Sequence, residues 1–421
     1  MEVKQVSEYL SPLAVITRDD DEISQPRRIN HTAPVSGNGA NFGYDGPSQK
    51  KFAEFVSGSD NGMFRNFTCK VAMDASVNAG TAKVGGKGTS FFKTIGTKDQ
   101  RQPIADYPEA NLWARIMENS TVSNDQKARD WESLGDQLGL ADADRITLTT
   151  EAKRIIVPLN VYPWYNQQKA FPLCVVGNLR HRFDFAPSHE ALATMSADCD
   201  YYILSNLEFI WEEDVMENAY VKELQEDALA GKIIIPYMGV VHKAVALDAS
   251  SNVVSINDSF SSAMALFAVN RLTADLNPKV SAVAKTQDPL NKYQKPNGTV
   301  VGIQVKGGSN AFPSEEIRTA EEVYVALKQV LPSTTSNQLT RARFNSVNTT
   351  ANSGSTSPLF IVGLALDKAG RGTGFDNVQG NLNYIFKQST PTAPGTVQCD
   401  LFVLHDIQYI PRTPVDAILK V

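Results

Sequence analysis

Apolar alternation with a period of two residues, renewed along almost the whole chain, is the feature that most restricts the folds open to this sequence. In DYYILSNLEFIW from Asp200, Leu207, Phe209 and Trp211 alternate with Glu208 and Ile210. Successive side chains on a strand point to opposite faces of a sheet, so this run predicts a half-buried strand. RIIVPLNV from Arg154, FPLCVV from Phe171 and RHRFDF from Arg180 also read as strands, rich in β-branched and aromatic residues. The same texture returns after mid-chain in KIIIPY, GVVHKAVAL, TVVGIQV at Thr299, LFIVGLAL at Leu359, LNYIF and CDLFVLHDIQYI. In TVVGIQV, Val301, Ile303 and Val305 are expected on one face, with Gly302 and Gln304 on the other.

Helical spacing is confined to short insertions. Pro108, Leu112 and Ile116 lead into DQKARDWESLGDQLGL, where Trp131, Leu134 and Leu138 recur at helical intervals. A second such stretch is RTAEEVYVALKQVL from Arg318. A third, from Glu212 to Lys232, gathers Val221, Leu224 and Ala228 on one side and stops at Gly231, as a connector between two units would.

With 421 residues and 42% hydrophobic content the chain can bury about two domain cores. Two successive β-rich halves favour tandem antiparallel sandwiches over one doubly wound sheet. The expected division is an N-terminal arm over 1–29, a first sandwich over 30–212, a helical connector over 213–231 and a second sandwich over 232–421. No strict short repeat is present, which argues against a solenoid.

Chemistry-bearing patterns are scarce. Lys and Arg total 40 against 46 Asp and Glu, a net charge of -6, so the chain as a whole repels a phosphate backbone and direct sequence-specific nucleic-acid binding is not expected. Cys69, Cys174, Cys199 and Cys399 form no C-x-x-C pair and read as buried thiols, neither a zinc site nor a disulfide framework. The opening MEVKQVSEYLSPLAVITRDDDE is broken at Pro12 and lacks a secretory core, and no apolar run is long enough to cross a bilayer. Sequons at Asn30, Asn66, Asn119, Asn257, Asn297 and Asn348 read as chance matches in an Asn- and Thr-rich chain.

Nucleotide cradles fail on detail. In GGKGTS at Gly85, Gly88 separates Lys87 from Thr89, and AGRGTGFDNVQGN from Ala369 opens no helix. His31, His181, His189, His242 and His405 show no metal-binding spacing. His189-Glu190 and His405-Asp406 set imidazole beside carboxylate, but neighbours in a strand face opposite ways. Ser57-Gly58-Ser59 and Gly354-Ser355 lack the nucleophile-elbow pattern. The acidic runs Asp19 to Glu22 and Glu212 to Asp214 lack the spacing of a calcium loop and read as solvated edges. Trp164, Tyr165, Tyr201, Tyr202 and Trp211 could stack on a sugar or base if exposed, but in a sandwich they are expected in the core. No catalytic, cofactor-binding or metal-binding residue is therefore nominated, and no enzyme activity is expected.

The stretch KRIIVPLNVYPWYNQQKAFPLCVVGNLRHRFDF, from Lys153 to Phe185, resembles a block of the double jelly-roll major capsid proteins of large eukaryotic DNA viruses, virophages and polinton-like viruses. Val157-Pro158-Leu159, then Phe171-Pro172-Leu173, then Arg180 to Phe185 match that family in order and spacing. YYILSNLEFIW resembles the strand that closes its first jelly roll, and GFDNVQGNLNYIF with VQCDLFVLHDIQYI resembles its final strand pair. The resemblance implies an all-β fold with short inserted helices, in which two tandem antiparallel jelly-roll sandwiches form a double jelly roll. It implies a structural protein that trimerises into pseudo-hexagonal capsomers, tiles an icosahedral virion shell and assembles inside the host cell. The partners it implies are further copies of the chain, minor capsid and penton proteins, and an internal membrane beneath the shell.

Two alternatives use the same fold class. A viral spike or lectin-like tandem sandwich would bind host glycans through exposed aromatics, and a cupin-type enzyme would gather histidines and a carboxylate inside one barrel.

Overall fold

The computed structural model describes residues 27–34, 40–58, 62–100, 102–121, 146–167, 170–247, 250–276, 288–296, 298–331, 344, 359–366, 374–376, 381–393, 395–413 and 416–420. Alternation in the first half produces β1 (Arg27–Pro34), β2 (Phe52–Ser57), β3 (Gly62–Val77), β4 (Ala82–Val84), β5 (Phe92–Lys98), β6 (Pro103–Pro108), β7 (Thr147–Leu148), β8 (Lys153–Pro158), β9 (Phe171–Pro172), β10 (Leu179–Phe185), β11 (Leu192–Met195) and β12 (Tyr202–Val215). The second half contains β13 (Ile235–Leu247), β14 (Ser251–Ile256), β15 (Ala263–Leu272), β16 (Val300–Gly307), β17 (Asn310–Ile317), β18 (Ile361–Ala365), β19 (Leu382–Gln388), β20 (Val397–Thr413) and β21 (Asp416–Lys420).

The main strands of each half form two facing sheets of four, all paired antiparallel, to which β9 adds beside β3, β21 beside β20, and β11-β4-β7 a separate small sheet. The orders are β1-β12-β3-β8 and β2-β10-β5-β6 in the first half, and β13-β20-β15-β18 and β14-β19-β16-β17 in the second. Setting aside the short β4, β7, β9 and β11 and the terminal β21, both halves thread eight main strands through the same path. Numbered within its half, each has sheet orders 1-8-3-6 and 2-7-4-5. That path is a jelly roll, and the chain carries it twice.

The cores follow from the alternation. In β12, Leu207, Phe209 and Trp211 are buried while Glu208 and Ile210 are half-exposed. Phe209 meets His181 and Phe183 from the facing sheet, with ring centroids 4.5 and 6.1 Å away. Among the described residues, three helices of more than two turns interrupt the strands: α1 (Ala110–Thr121), α2 (Asn218–Leu229) and α3 (Ala320–Val330). In α2, Val221, Leu224 and Ala228 are buried, and Gly231 just beyond takes the positive φ of 67° that glycine tolerates best. α3 begins with a capping box, in which the Thr319 side chain and Glu322 satisfy each other's backbone amides. It lies so close to β18 that a Cβ on Gly363 would fall 2.6 Å from Leu327 Cδ1.

Several expectations need correction. FPLCVV is not one strand: after Phe171–Pro172 the chain turns into a helical turn over Leu173–Val176, because the proline ends the ladder. Val301 does not share the core face with Ile303 and Val305. The pairing of β16 with β19 shifts between Val300 and Gly302, and the irregularity leaves Val301 44% exposed. Glu212 to Asp214 is no solvated edge, since it lies within β12 with Glu213 fully buried. His189 and Glu190 sit on a helical turn, Ser188–Ala191, with Nε2 and Oε1 4.0 Å apart, so the strand argument does not apply to them. Trp131, Leu134, Leu138 and the run Asp19 to Glu22 lie outside the described residues.

Candidate functional site

The most elaborate constellation of polar and aromatic side chains is the joint between the two jelly rolls. The outward face of β13, β20 and β15 is covered by the first half. Trp113 of α1 stands edge-on to Phe267 of β15 at 5.8 Å and packs on Phe402 of β20 at 5.6 Å. The Trp164 ring meets Tyr237 of β13 at 5.1 Å, and the Phe171 ring meets Tyr409 of β20 at 5.8 Å. Buried tyrosines need a partner for the hydroxyl. Tyr237 donates to the Ile104 carbonyl at 2.5 Å and Tyr409 to Asp99 Oδ2 at 2.9 Å, both across the joint.

A charged network lies in the same joint. Arg271 of β15 donates through Nε to Asp400 Oδ2 of β20 at 2.8 Å, and both side chains are buried. Its Nη2 lies 3.5 Å from Glu109 Oε2 of the first half. Glu109 and Glu190 in turn hold Lys93 Nζ at 2.5 and 2.6 Å. His242 of β13 contacts Asp400 Oδ1 at 3.1 Å. Burial alone would raise the Asp400 carboxyl, but the Arg271 guanidinium and the His242 hydrogen bond outweigh it and hold it below the usual carboxylate range. Burial would likewise lower the Lys93 ammonium, and Glu109 and Glu190 override that and raise it. Glu109 reaches the network from a left-handed backbone, φ 53°, just before α1.

Beside the joint opens a cleft of about 930 Å³, lined mainly by apolar groups including Trp113, Met117, Tyr237, Phe267 and Leu404. At its polar end Thr89 Oγ1 donates to Glu118 Oε1 at 3.2 Å. The Gly85 loop adds Asn291 Nδ2, which donates to the Gly85 carbonyl at 2.5 Å, so this glycine cluster serves the joint.

The other residues weighed from the sequence do not converge. Cys69, Cys174, Cys199 and Cys399 are buried free thiols. Trp164, Tyr165, Tyr202 and Trp211 are buried, leaving Tyr201 half-exposed. Asn66 donates to the Trp164 carbonyl at 3.0 Å, and it and Asn119 are buried, whereas Asn257 is exposed. No group of three or more His, Cys, Asp or Glu that could hold a metal occurs among the described residues.

His181 is a core residue of the first jelly roll. Its Nε2 lies 2.9 Å from Ser57 Oγ and its Nδ1 lies 2.9 Å from Tyr165 Oη and 3.2 Å from Thr97 Oγ1. Burial lowers its pKa from 6.5 to about 3. The unfolded chain therefore takes up this proton first, so stability is full above pH 6.5 and falls as the pH drops toward about 3. By pH 5 the loss from this residue is about 2 kcal/mol. Urea melts at pH 7 and pH 5 test this: His181→Gln is expected to lose less stability than the wild type, and equal losses would contradict it.

Sequence reasoning missed the joint network. The available signal was a charge set in an otherwise apolar strand: Arg271 is the penultimate residue of ALFAVNRL and Asp400 interrupts VQCDLFVL. Such a residue needs a buried partner, but the sequence does not pair positions 129 residues apart.

No protein-family model matches the chain, and no curated protein matches it. Solved structures do. The VP54 protein of PBCV-1, as fitted into a reconstruction of the virophage Sputnik, matches with TM-score 0.58 and 10% identity over 96% of this chain and 99% of that one. The Faustovirus major capsid protein matches with TM-score 0.57 and 9% identity over 98% of this chain and 94% of that one. A chain of the Sputnik virophage structure matches with TM-score 0.56 and 10% identity over 96% and 92%. With its twice-repeated strand order, the chain has the double jelly-roll fold that these viral proteins share.

Proposed function

We propose that the chain is the major capsid protein of a virus, a wall-building protein that trimerises into pseudo-hexagonal capsomers and tiles an icosahedral shell. The observation that carries this is the repeated jelly-roll path, locked by a buried joint into one body with two similar lobes. Three such bodies give a ring of six lobes, the geometry of a hexagonal tile. Permanent interfaces of this kind bury on the order of thousands of Å². The role is structural, without a cofactor, and the division into arm, two jelly rolls and connector is part of the proposal. So are a virion location, assembly inside the host cell, association with minor capsid and penton proteins and an internal membrane beneath the shell.

Multi-angle light scattering on the purified protein tests it. The expected mass is three times the 46.0 kDa of one chain, or a larger multiple. A stable monomer that binds glycans would overturn it in favour of a spike or lectin-like sandwich. That reading is weakened by the burial of Trp164, Tyr165, Tyr202 and Trp211, the rings it would use.

A further inference from the structure

We infer that the cleft between the two jelly rolls is a binding site for a single-chain neutral lipid with a hydroxyl head, such as a monoacylglycerol or a long-chain alcohol. Such a site does not depend on the capsid role.

The cleft takes its walls from both halves. Met117 of α1 and Val161 after β8 line it from the first half, and Met238 of β13, Met264 of β15, Val330 of α3 and Leu404 of β20 line it from the second. All six are only half-buried, so a concave apolar surface is left open to water. A contiguous apolar concavity of this kind marks a binding site. Its volume of about 930 Å³ lies inside the range of roughly 300–1,000 Å³ typical of small-molecule sites. Walls of thioether and aliphatic groups adapt to a flexible hydrocarbon chain better than to a flat, hydrogen-bonding ring.

The polar end selects the head. Among the described residues that line the cleft, Lys87 and Glu118 are the only charged ones, and they carry opposite signs. Both are buried, as is Thr89, whereas Asn160 and Gln329 are exposed, so the charges sit at the closed end and the amides at the mouth. Arg115 pairs with Glu118, Nη1 3.4 Å from Oε2, but does not itself line the cleft. At the closed end an anionic head would meet the Glu118 carboxylate and a cationic head the Lys87 ammonium, both where the dielectric is low. A hydroxyl is donor and acceptor at once. It donates to Glu118 and accepts from Lys87 while its chain runs out between the apolar walls. Since those walls belong to both halves, the bound lipid also bridges the joint.

Titration of the whole chain with monodecanoylglycerol, read by thermal melts and native mass spectrometry, tests the inference. The expected result is a saturable rise in Tm with one lipid bound per chain, and binding about tenfold weaker for decanoate, whose carboxylate meets Glu118. Met238→Trp and Leu404→Trp, which add bulk to the walls, should abolish both signals with circular dichroism unchanged. Val253→Trp, on a β14 residue that is 62% exposed, should retain them. No saturable rise in the wild type, or one that survives in both wall variants, overturns the inference. Decanoate binding as tightly as the glyceride overturns the hydroxyl head. Should a wall variant fail to fold, hydrogen exchange on the wild type decides: slower exchange in β13 and β15 on lipid addition, with β2 unchanged, supports the site, and no change or uniform slowing overturns it.

Discussion

Arg271→Ala is expected to destabilise the protein by about 3–5 kcal/mol, because it leaves the Asp400 carboxylate buried without its main partner. The loss should exceed that of any single surface ion pair, such as Arg182 with Asp184, whose side chains are 48% and 30% exposed. Replacing both partners with apolar residues, as in Arg271→Met with Asp400→Leu, should recover much of the loss, since no lone charge then remains in the joint. The sign of the pH dependence follows from the depressed Asp400 carboxyl: the contribution is present above the ordinary carboxylate range and is lost only in strong acid. Denaturant melts at pH 7 read the first effect, and a loss of less than about 1 kcal/mol for Arg271→Ala would show that the joint is far wetter than the geometry indicates.

The second large effect is expected at Trp113. It is 2% exposed, packs on both Phe267 and Phe402, and donates from Nε1 to the Val161 carbonyl at 3.3 Å. Trp113→Ala should cost about 3–5 kcal/mol through lost burial and the void left behind. Because that void lies between the halves, hydrogen exchange should quicken in β15 and β20 more than in β2 or β10, which lie at the end of their sheet opposite β6. Uniform quickening would mean that the halves unfold as one unit without a weak point at the joint.

Much of this fold was legible in the sequence. Strands whose one face is buried wrote themselves out as alternation, as in β12, and α3 showed as the helical stretch RTAEEVYVALKQVL from Arg318. The resemblance around Val157-Pro158-Leu159 pointed to the tandem jelly rolls that the topology displays. What stayed hidden has two causes. Bulges such as the one at Val301 change side-chain facing without changing composition, so alternation misassigns the residue. Long-range partnerships such as Arg271 with Asp400, or Tyr409 with Asp99 across 310 positions, are set by topology and leave no local trace. The duplication itself was invisible as a repeat, because a jelly roll demands only the order and alternation of its strands, which many sequences satisfy.

Two like lobes per chain should build a threefold tile, and electron cryo-microscopy of the purified protein would show it. The predicted result is a ring of six similar lobes about a threefold axis. A particle holding one chain, or rings with another number of lobes, would contradict it.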